Sequence, residues 1–538
     1  MTLSQTRTVL SSYRNQLKNF YSSLKNEIID DIPNNETGLY YFSDYSPFAI
    51  RVVLDDEDLN QIIENAYIIA SNEIIERVYV VQMEYVQTAY IGEYSETDRY
   101  SFNDALSDCG IVKDEFNGDD INVGIWESSA DNLSFDITSS DFTNRNVSLE
   151  PNSRYYGVKY DDDGNIEQYI FNDHGTVVST IATGNTGIAN ESNIFYSTII
   201  NLLQELDWFT MYNVDVVNMS FGLGESYQFT YNGSNHTYPM YSHDYTLAES
   251  LIDFYSKYAR ITFVKSAGNC GDEDNQVFLS NVDRITTPGN ALNIITVAAT
   301  NYEGKVAKFS SYESFNDMKP NVVAPGASLS QISESCPNVD SNGITNTGTS
   351  FAAPIVTGVI ALLMEEFPYL IGNPEAIIAV ITASSKQLNT QSELWDSVSG
   401  PGLINYNEAR EAAENFNRII VEGEKQNNSI VYEQIINVNS SSIIEFGLCW
   451  SSELATQEEL QLTGSSNYDF NKYTIELYDN TTGRFLERFS SNWNINVADY
   501  FNSSSNVNSI KIKVILSDTR LSTDNKDVLF LSYCQLKV

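Results

Sequence analysis

Basic residues are scarce in this chain: 30 Lys plus Arg stand against 72 Asp plus Glu, a formal net charge of −42. That imbalance excludes nucleic acid as a partner, because phosphates would be repelled, and it disfavours an anionic membrane surface. Long-range steering instead favours a cationic substrate. Histidine is rarer still, at three residues, and Cys109, Cys270, Cys336, Cys449 and Cys534 are scattered and odd in number. None forms a C-x-x-C pair, so neither a structural zinc site nor a disulfide framework is expected. The first residues hold no apolar core behind a basic start, so no secretory signal is recognised. No apolar run is expected to span a bilayer. These absences leave the location open, with a cytoplasmic protein favoured over a secreted one.

What is present is enough for packed cores: 538 residues, 42% hydrophobic and 12% aromatic. A chain of this length predicts roughly two to four domains. Leu10, Tyr13, Leu17, Phe20, Leu24 and Ile28 recur at spacings of three and four, which predicts an amphipathic helix over about residues 1–30. Strand and helix signals near residues 38–90 then suggest a small α+β module. From about Asp120 strands alternate with helices, the signature of a parallel sheet covered on both faces. After about residue 418 only short β-rich runs remain, separated by Asn-Ser-rich turns, which predicts a β-sandwich. The expected division is 1–95, 96–417 and 418–538.

Four segments carry chemistry. In Gly348-Thr349-Ser350-Phe351-Ala352-Ala353-Pro354 a flexible turn delivers Ser350 onto the start of an apolar helix. Pro354 is tolerated because it falls in the first turn. Developing negative charge beside Ser350 is favoured by the helix dipole. His174 opens a predicted helix at Asp173-His174-Gly175-Thr176, and an imidazole titrates near neutrality as a general base must. Asn269, after Ser266-Ala267-Gly268, can aim its amide N–H at an oxyanion. Glu127 ends the first sheet strand, where a carboxylate can fix an imidazole tautomer. Taken singly, these would read as a helix cap, a turn residue and a solvated strand end. Jointly, all four stand at strand–turn–helix junctions.

These motifs, with Asn218-Met219-Ser220-Phe221-Gly222, Lys319-Pro320-Asn321-Val322-Val323-Ala324-Pro325-Gly326 and Gly400-Pro401-Gly402-Leu403-Ile404-Asn405, resemble those of the subtilisin-like serine proteases. The likeness runs from about Asp120 to Ala413, in the acid–histidine–serine order that subtilisin itself shows. It implies an α/β fold of subtilisin type, with a small N-terminal α+β module and a C-terminal all-β sandwich. It also implies a serine endopeptidase with Ser350 as nucleophile, His174 as general base and Asn269 in the oxyanion hole. Ser220, Phe221, Gly222 and Gly268 would bind an extended protein or peptide substrate. The departure is Glu127, where the family has Asp; Asp131 and Asp173 are the alternative acids. The module near residues 38–90 is similar to the family's propeptides, which implies an intramolecular chaperone or inhibitor; a permanent accessory domain is the competing expectation. No cofactor is required. Calcium is not established: Asp161-Asp162-Asp163-Gly164-Asn165 reads more simply as a solvated hairpin turn. The same residues also allow a pseudoprotease that binds peptides without cutting them.

Overall fold

The computed structural model describes residues 2–31, the strand pairs 40–41 and 52–53, and residues 99–537 with breaks at 112–115, 128–134, 152–156, 161–165, 171–173, 200–201, 223–224, 232–233, 241–244, 246, 270, 272–284, 313–317, 335, 337–345, 389–394, 424–425, 452–470, 492, 503–506 and 519–525. Most of the expected module near residues 38–90 lies outside the described residues, as do Asp131, Asp173 and the Asp161–Asn165 stretch. The strands flanking that stretch, Gly157–Tyr160 and Ile166–Ile170, pair as an antiparallel hairpin.

At the centre is a seven-stranded sheet of β1 (Asn122–Glu127), β2 (Val147–Leu149), β3 (Asn193–Thr198), β4 (Val216–Met219), β5 (Thr262–Ser266), β6 (Ile295–Thr300) and β7 (Val322–Pro325), in the order β7-β6-β5-β4-β1-β3-β2. Every pairing is parallel. Such strands are mostly apolar because helices cover both faces, with polar residues gathered at their ends. One face packs Ile125, Val216, Val264 and Val297 with helices that include His174–Thr183 and Thr349–Glu366. The other packs Trp126, Val217, Met219 and Phe263 with Leu202–Met211 and Leu247–Phe254. The chain leaves β1 for β2 and β3 on one side, then crosses to β4 on the other. Ligands of open parallel sheets bind at the strand carboxyl ends beside such a reversal.

In chain order the helices are α1 (Leu3–Asp31), α2 (Phe102–Asp108), α3 (His174–Thr183), α4 (Leu202–Met211), α5 (Leu247–Phe254), α6 (Thr349–Glu366), α7 (Pro374–Thr382) and α8 (Tyr406–Glu414). Sequence periodicity did not mark α2, α4 or α8. The inner face of α1 also differs from the expected one. Tyr13 and Phe20 are 39% and 59% exposed, whereas Thr6, Leu10 and Arg14 are buried. Arg14 donates to the carbonyls of Ala259 (2.7 Å), Val214 (3.1 Å) and Arg260 (3.0 Å), and Arg7 pairs with Asp215 at 2.6 Å. Hydrogen bonding to carbonyls before β4 and β5 decides which side turns inward, and hydrophobic spacing does not. This docks α1 at the amino ends of the strands, away from the carboxyl ends where the site lies.

A second correction concerns α6. Its 18 residues have a mean hydropathy of 1.3, long and apolar enough to cross a membrane, contrary to the sequence expectation. It is 89% buried inside the fold, so its apolarity is met by the sheet and the neighbouring helices.

Past residue 416 come β8 (Asn417–Glu422), β9 (Ser429–Asn437), β10 (Ser442–Trp450), β11 (Lys472–Asp479), β12 (Phe485–Ser490), β13 (Ile495–Asn502), β14 (Ser509–Asp518) and β15 (Lys526–Lys537). They form two four-stranded antiparallel sheets, β8-β15-β10-β13 and β9-β14-β11-β12, with a core that includes Trp450 and Tyr473 packed edge to face at 5.0 Å. The sandwich is joined to the parallel-sheet domain by contact. Cys449, Ile495, Phe530 and Cys534 share the core of α7 and α8. At Gly447, an added Cβ would lie 2.2 Å from the Ala379 carbonyl, so β10 and α7 meet backbone to backbone.

Candidate active site

Glu127, His174, Asn269 and Ser350 all stand at the carboxyl ends of strands or the starts of the helices above them. Glu127 is the last residue of β1 and fully buried. Its Oε2 lies 3.0 Å from His174 Nδ1, on the first residue of α3. His174 is 7% exposed, and its ring lies 5.4 Å from that of Phe351, the residue after Ser350. The extra methylene of Glu therefore does not prevent the carboxylate from reaching the imidazole. Accepting from Nδ1–H leaves Nε2 as the acceptor, the tautomer a general base needs.

Burial pushes the Glu127 carboxyl above its ordinary range, while the His174 charge, the His174 hydrogen bond and the charge of Lys265 pull it back. Its second oxygen, Oε1, is buried and has no hydrogen-bond partner among the described residues. The imidazole is thus the carboxylate's hydrogen-bonded partner, and its charge favours the ionised form of Glu127.

Ser350 is set by the turn before α6. Gly348 caps the helix at φ 156°, and a Cβ there would press to 3.1 Å from Asn269 Nδ2. Thr349 N–H donates to Asn269 Oδ1 at 2.8 Å and Thr349 Oγ1 donates to it at 2.9 Å. In turn Gly268 N–H, in a left-handed backbone at φ 115°, donates to Thr349 Oγ1 at 3.0 Å. With its oxygen held twice, Asn269 must direct its amide N–H away from Thr349, toward the side where Gly348 leaves space. The start of α6 also gives Ser350 N–H no intrahelical acceptor. Both donors stand beside the start of α6. The Asn269→Ala variant is expected to lose about 10²–10³ in kcat with little change in KM, the magnitude known for a subtilisin; steady-state kinetics on a peptide substrate checks it.

Ser350 Oγ donates to the Ser220 carbonyl at 3.3 Å, a long bond that costs little to exchange. Ser220 Oγ donates to the Ser350 carbonyl at 2.8 Å and accepts from Asn218 Nδ2 at 2.9 Å; Thr357 Oγ1 lies 3.2 Å from Asn218 Oδ1. This buried chain ties the first turn of α6 to the end of β4. Of the expected substrate-binding residues, Ser220 is bonded to Ser350 and Gly268 to Thr349, and Gly222 lies two residues past Ser220. The Phe221 side chain instead packs under the sheet against Trp126 at 5.4 Å, so it can offer a peptide only its backbone. Sequence reading assigned no role to Asn218, Thr349, Thr357 or Lys265. Asn218 and Thr349 do lie inside the quoted motifs, which was the only signal for them. Among the described residues no group of three or more His, Cys, Asp or Glu is placed to hold a metal ion.

Comparison with known proteins agrees with this geometry. The model of the subtilase family matches residues 118–402. Subtilisin DY of Bacillus licheniformis is 28% identical over 267 residues, 46% of this chain and 79% of that protein. Subtilisin-like protease 2 of Trichophyton verrucosum is 28% identical over 257 residues, 44% of this chain and 51% of its own, so only about half of that relative is matched. The solved structure of the patellamide maturation protease PatA aligns over 55% of this chain and 98% of its own at 19% identity, with a TM-score of 0.39 that adds no weight. Residues 118–402 make up more than half of the 538, and the sheet, the Gly268–Asn269 turn and the Ser350 helix all fall inside them. The chain belongs to the subtilase family, whose members are serine endopeptidases.

Proposed function

We propose that this chain hydrolyses peptide bonds through an acyl-enzyme, with Ser350 as nucleophile, His174 as general base and Glu127 as the acid that orients it. The observation that carries this reading is the 3.0 Å contact between Glu127 Oε2 and His174 Nδ1, with both residues buried. His174 Nε2 takes the Ser350 proton as Oγ bonds to the scissile carbonyl carbon. The carbonyl oxygen becomes an oxyanion held by Asn269 Nδ2–H and Ser350 N–H. His174 then gives the proton to the leaving amine, the C–N bond breaks, and the acyl group stays on Ser350. Water, deprotonated by the same imidazole, releases the acid. Glu127 stays ionised throughout and stabilises the imidazolium. No step calls on a cofactor, and calcium would serve stability alone. The substrate is a protein or peptide, extended along residues 220–222 by strand pairing.

Fluorophosphonate labelling of the full chain tests this. A single adduct on Ser350, absent in Ser350→Ala and hindered in Glu127→Ala, is expected by mass spectrometry. A folded protein that takes no label, even after limited proteolysis, would place the chain among peptide-binding proteins without catalysis.

A further inference from the structure

Helix α1 docks at one end of the parallel sheet, whereas the chain that follows it joins the sheet domain at the other. Arg7 and Arg14 hold α1 at the amino ends of β4 and β5. Tyr100 and Ser101, which lead into α2, pair in parallel with Leu329 and Ser330, a few residues past the carboxyl end of β7. The chain between α1 and Tyr100 therefore passes from the amino ends of the strands to the carboxyl ends. A cut just past α1 leaves the helix attached by its own contacts alone, so what those contacts hold decides its fate.

Leu3, Arg7, Leu10 and Arg14 recur at spacings of four, three and four, which sets them on one face of the helix. Leu10 is buried, and an added Cβ on Gly372 would lie 3.0 Å from its Cδ1. Arg14 is buried at the end of the turn Tyr255–Ala259 that follows α5, where it donates to the Ala259 and Arg260 carbonyls. A helix end leaves such carbonyls unpaired and carries negative partial charge, so a guanidinium there both bonds them and meets the dipole. Arg7 donates to the Asp120 carbonyl and to Asp215 Oδ2, which also accepts from Asn122 N–H at 2.9 Å. Asp215 is 1% exposed, and among the described residues Arg7 is the only cation within ion-pair distance of it. Taking α1 away would strip a dry carboxylate of its cation and the carbonyls of Val214, Ala259 and Arg260 of their donor. Removing one partner of a buried pair is the costly way to break it.

We propose that α1 is a part of this protein that holds without a covalent link: once the chain is cut past residue 31, α1 stays at the amino ends of the strands, and the product is a complex of two chains. The surface that takes it is a notch of backbone carbonyls and one buried carboxylate. The partner that fits is a helix carrying two arginines seven residues apart, supplied by the chain itself. This inference does not rest on the catalytic reading, because the notch lies at the far end of the sheet from Ser350.

For the test, a Gly-Ser-flanked site for an added protease is inserted after Asn34 of the full chain. The Ser350→Ala background ensures that only the added protease cuts. The protein is cut to completion, as shown on a denaturing gel, and then run by size exclusion at about 1 μM. The N-terminal fragment is expected to elute with the remainder, at one copy per chain by native mass spectrometry. Arg14→Met should speed release of a dye-labelled fragment about 10–100-fold, and Arg7→Ala about 10-fold, the range for hydrogen bonds to a charged group. Should Arg14→Met fail to fold before cutting, the Arg7→Ala rate decides, because the Arg7 side chain is partly exposed. A fragment that elutes alone from the protein with both arginines intact overturns the inference. So does a release rate that the variants leave unchanged.

Discussion

Glu127→Gln is expected to lose about 10⁴ in kcat while folding normally, the cost of a triad whose acid no longer holds the imidazole in its working tautomer. The amide keeps the shape of the side chain, yet it can present N–H where Nδ1–H needs an acceptor. Glu127→Asp separates charge from reach. The end of β1 is fixed by parallel pairing to β3 and β4, with Trp126 set against Met219, so the backbone cannot follow a shorter side chain. An aspartate would fall more than 1 Å short of the present 3.0 Å contact. A misplacement of that size costs about 10²-fold, so Asp should rank between Glu and Gln. Single-turnover kinetics with an activated ester would give the order. Equal rates for Glu127 and Gln would show that another group orients His174.

The acid limb of the pH profile follows from the same pair. Catalysis needs the Glu127 carboxylate, and burial raises the pH at which it ionises. Raising the folded-state pKa of a carboxyl also means that folding favours its protonated form. Stability from this group is therefore present below the ordinary Glu range and declines as pH rises through the folded value. Activity and stability move in opposite directions across that window.

The larger effect on stability is expected at Glu445. It lies in β10 directly opposite Asp499 of β13, buried at 3% exposure, with Oε2 lacking a hydrogen-bond partner among the described residues. Burial pushes its carboxyl up to about 8, with the charges of Asp499 and Glu408 adding to the shift. The unfolded chain releases that proton near 4.5, the folded chain only near 8. Between these limits the unfolded state binds fewer protons, so stability falls as pH rises, at up to about 1.4 kcal/mol per unit. Like charges set opposite one another across a sheet also destabilise it. Glu445→Gln removes both penalties. It should raise Tm by several degrees at pH 8 and change it little at pH 4, a gain on the order of a few kcal/mol once charges would otherwise form. Calorimetric scans at the two pH values give the answer. A gain of equal size at both would mean that packing, and not ionisation, is responsible.

How much of this could be read from the amino acids alone differs from group to group. Gly348, Ser350 and Pro354 make a turn and a helix start through properties that each residue carries into any context, so the turn that presents Ser350 was legible. The apolar strands and helices were legible for the same reason: their periodicity reflects local geometry. The choice of Glu127 as the acid over its rivals was open, because it depends on which strand end lies next to the start of α3. The inward face of α1 turned on carbonyls more than 190 positions away from Arg14, which no hydrophobic pattern encodes. The charge of Lys265 reaches Glu127 only because the fold packs β5 near the end of β1. The burial of Glu445 opposite Asp499 depends on the register of β10 and β13. The sequence by itself determined which chemistry is on hand and which local elements carry it. Only the tertiary structure decided which charges are dried and which groups meet, because burial and pairing are properties of surfaces brought together and not of the residues themselves.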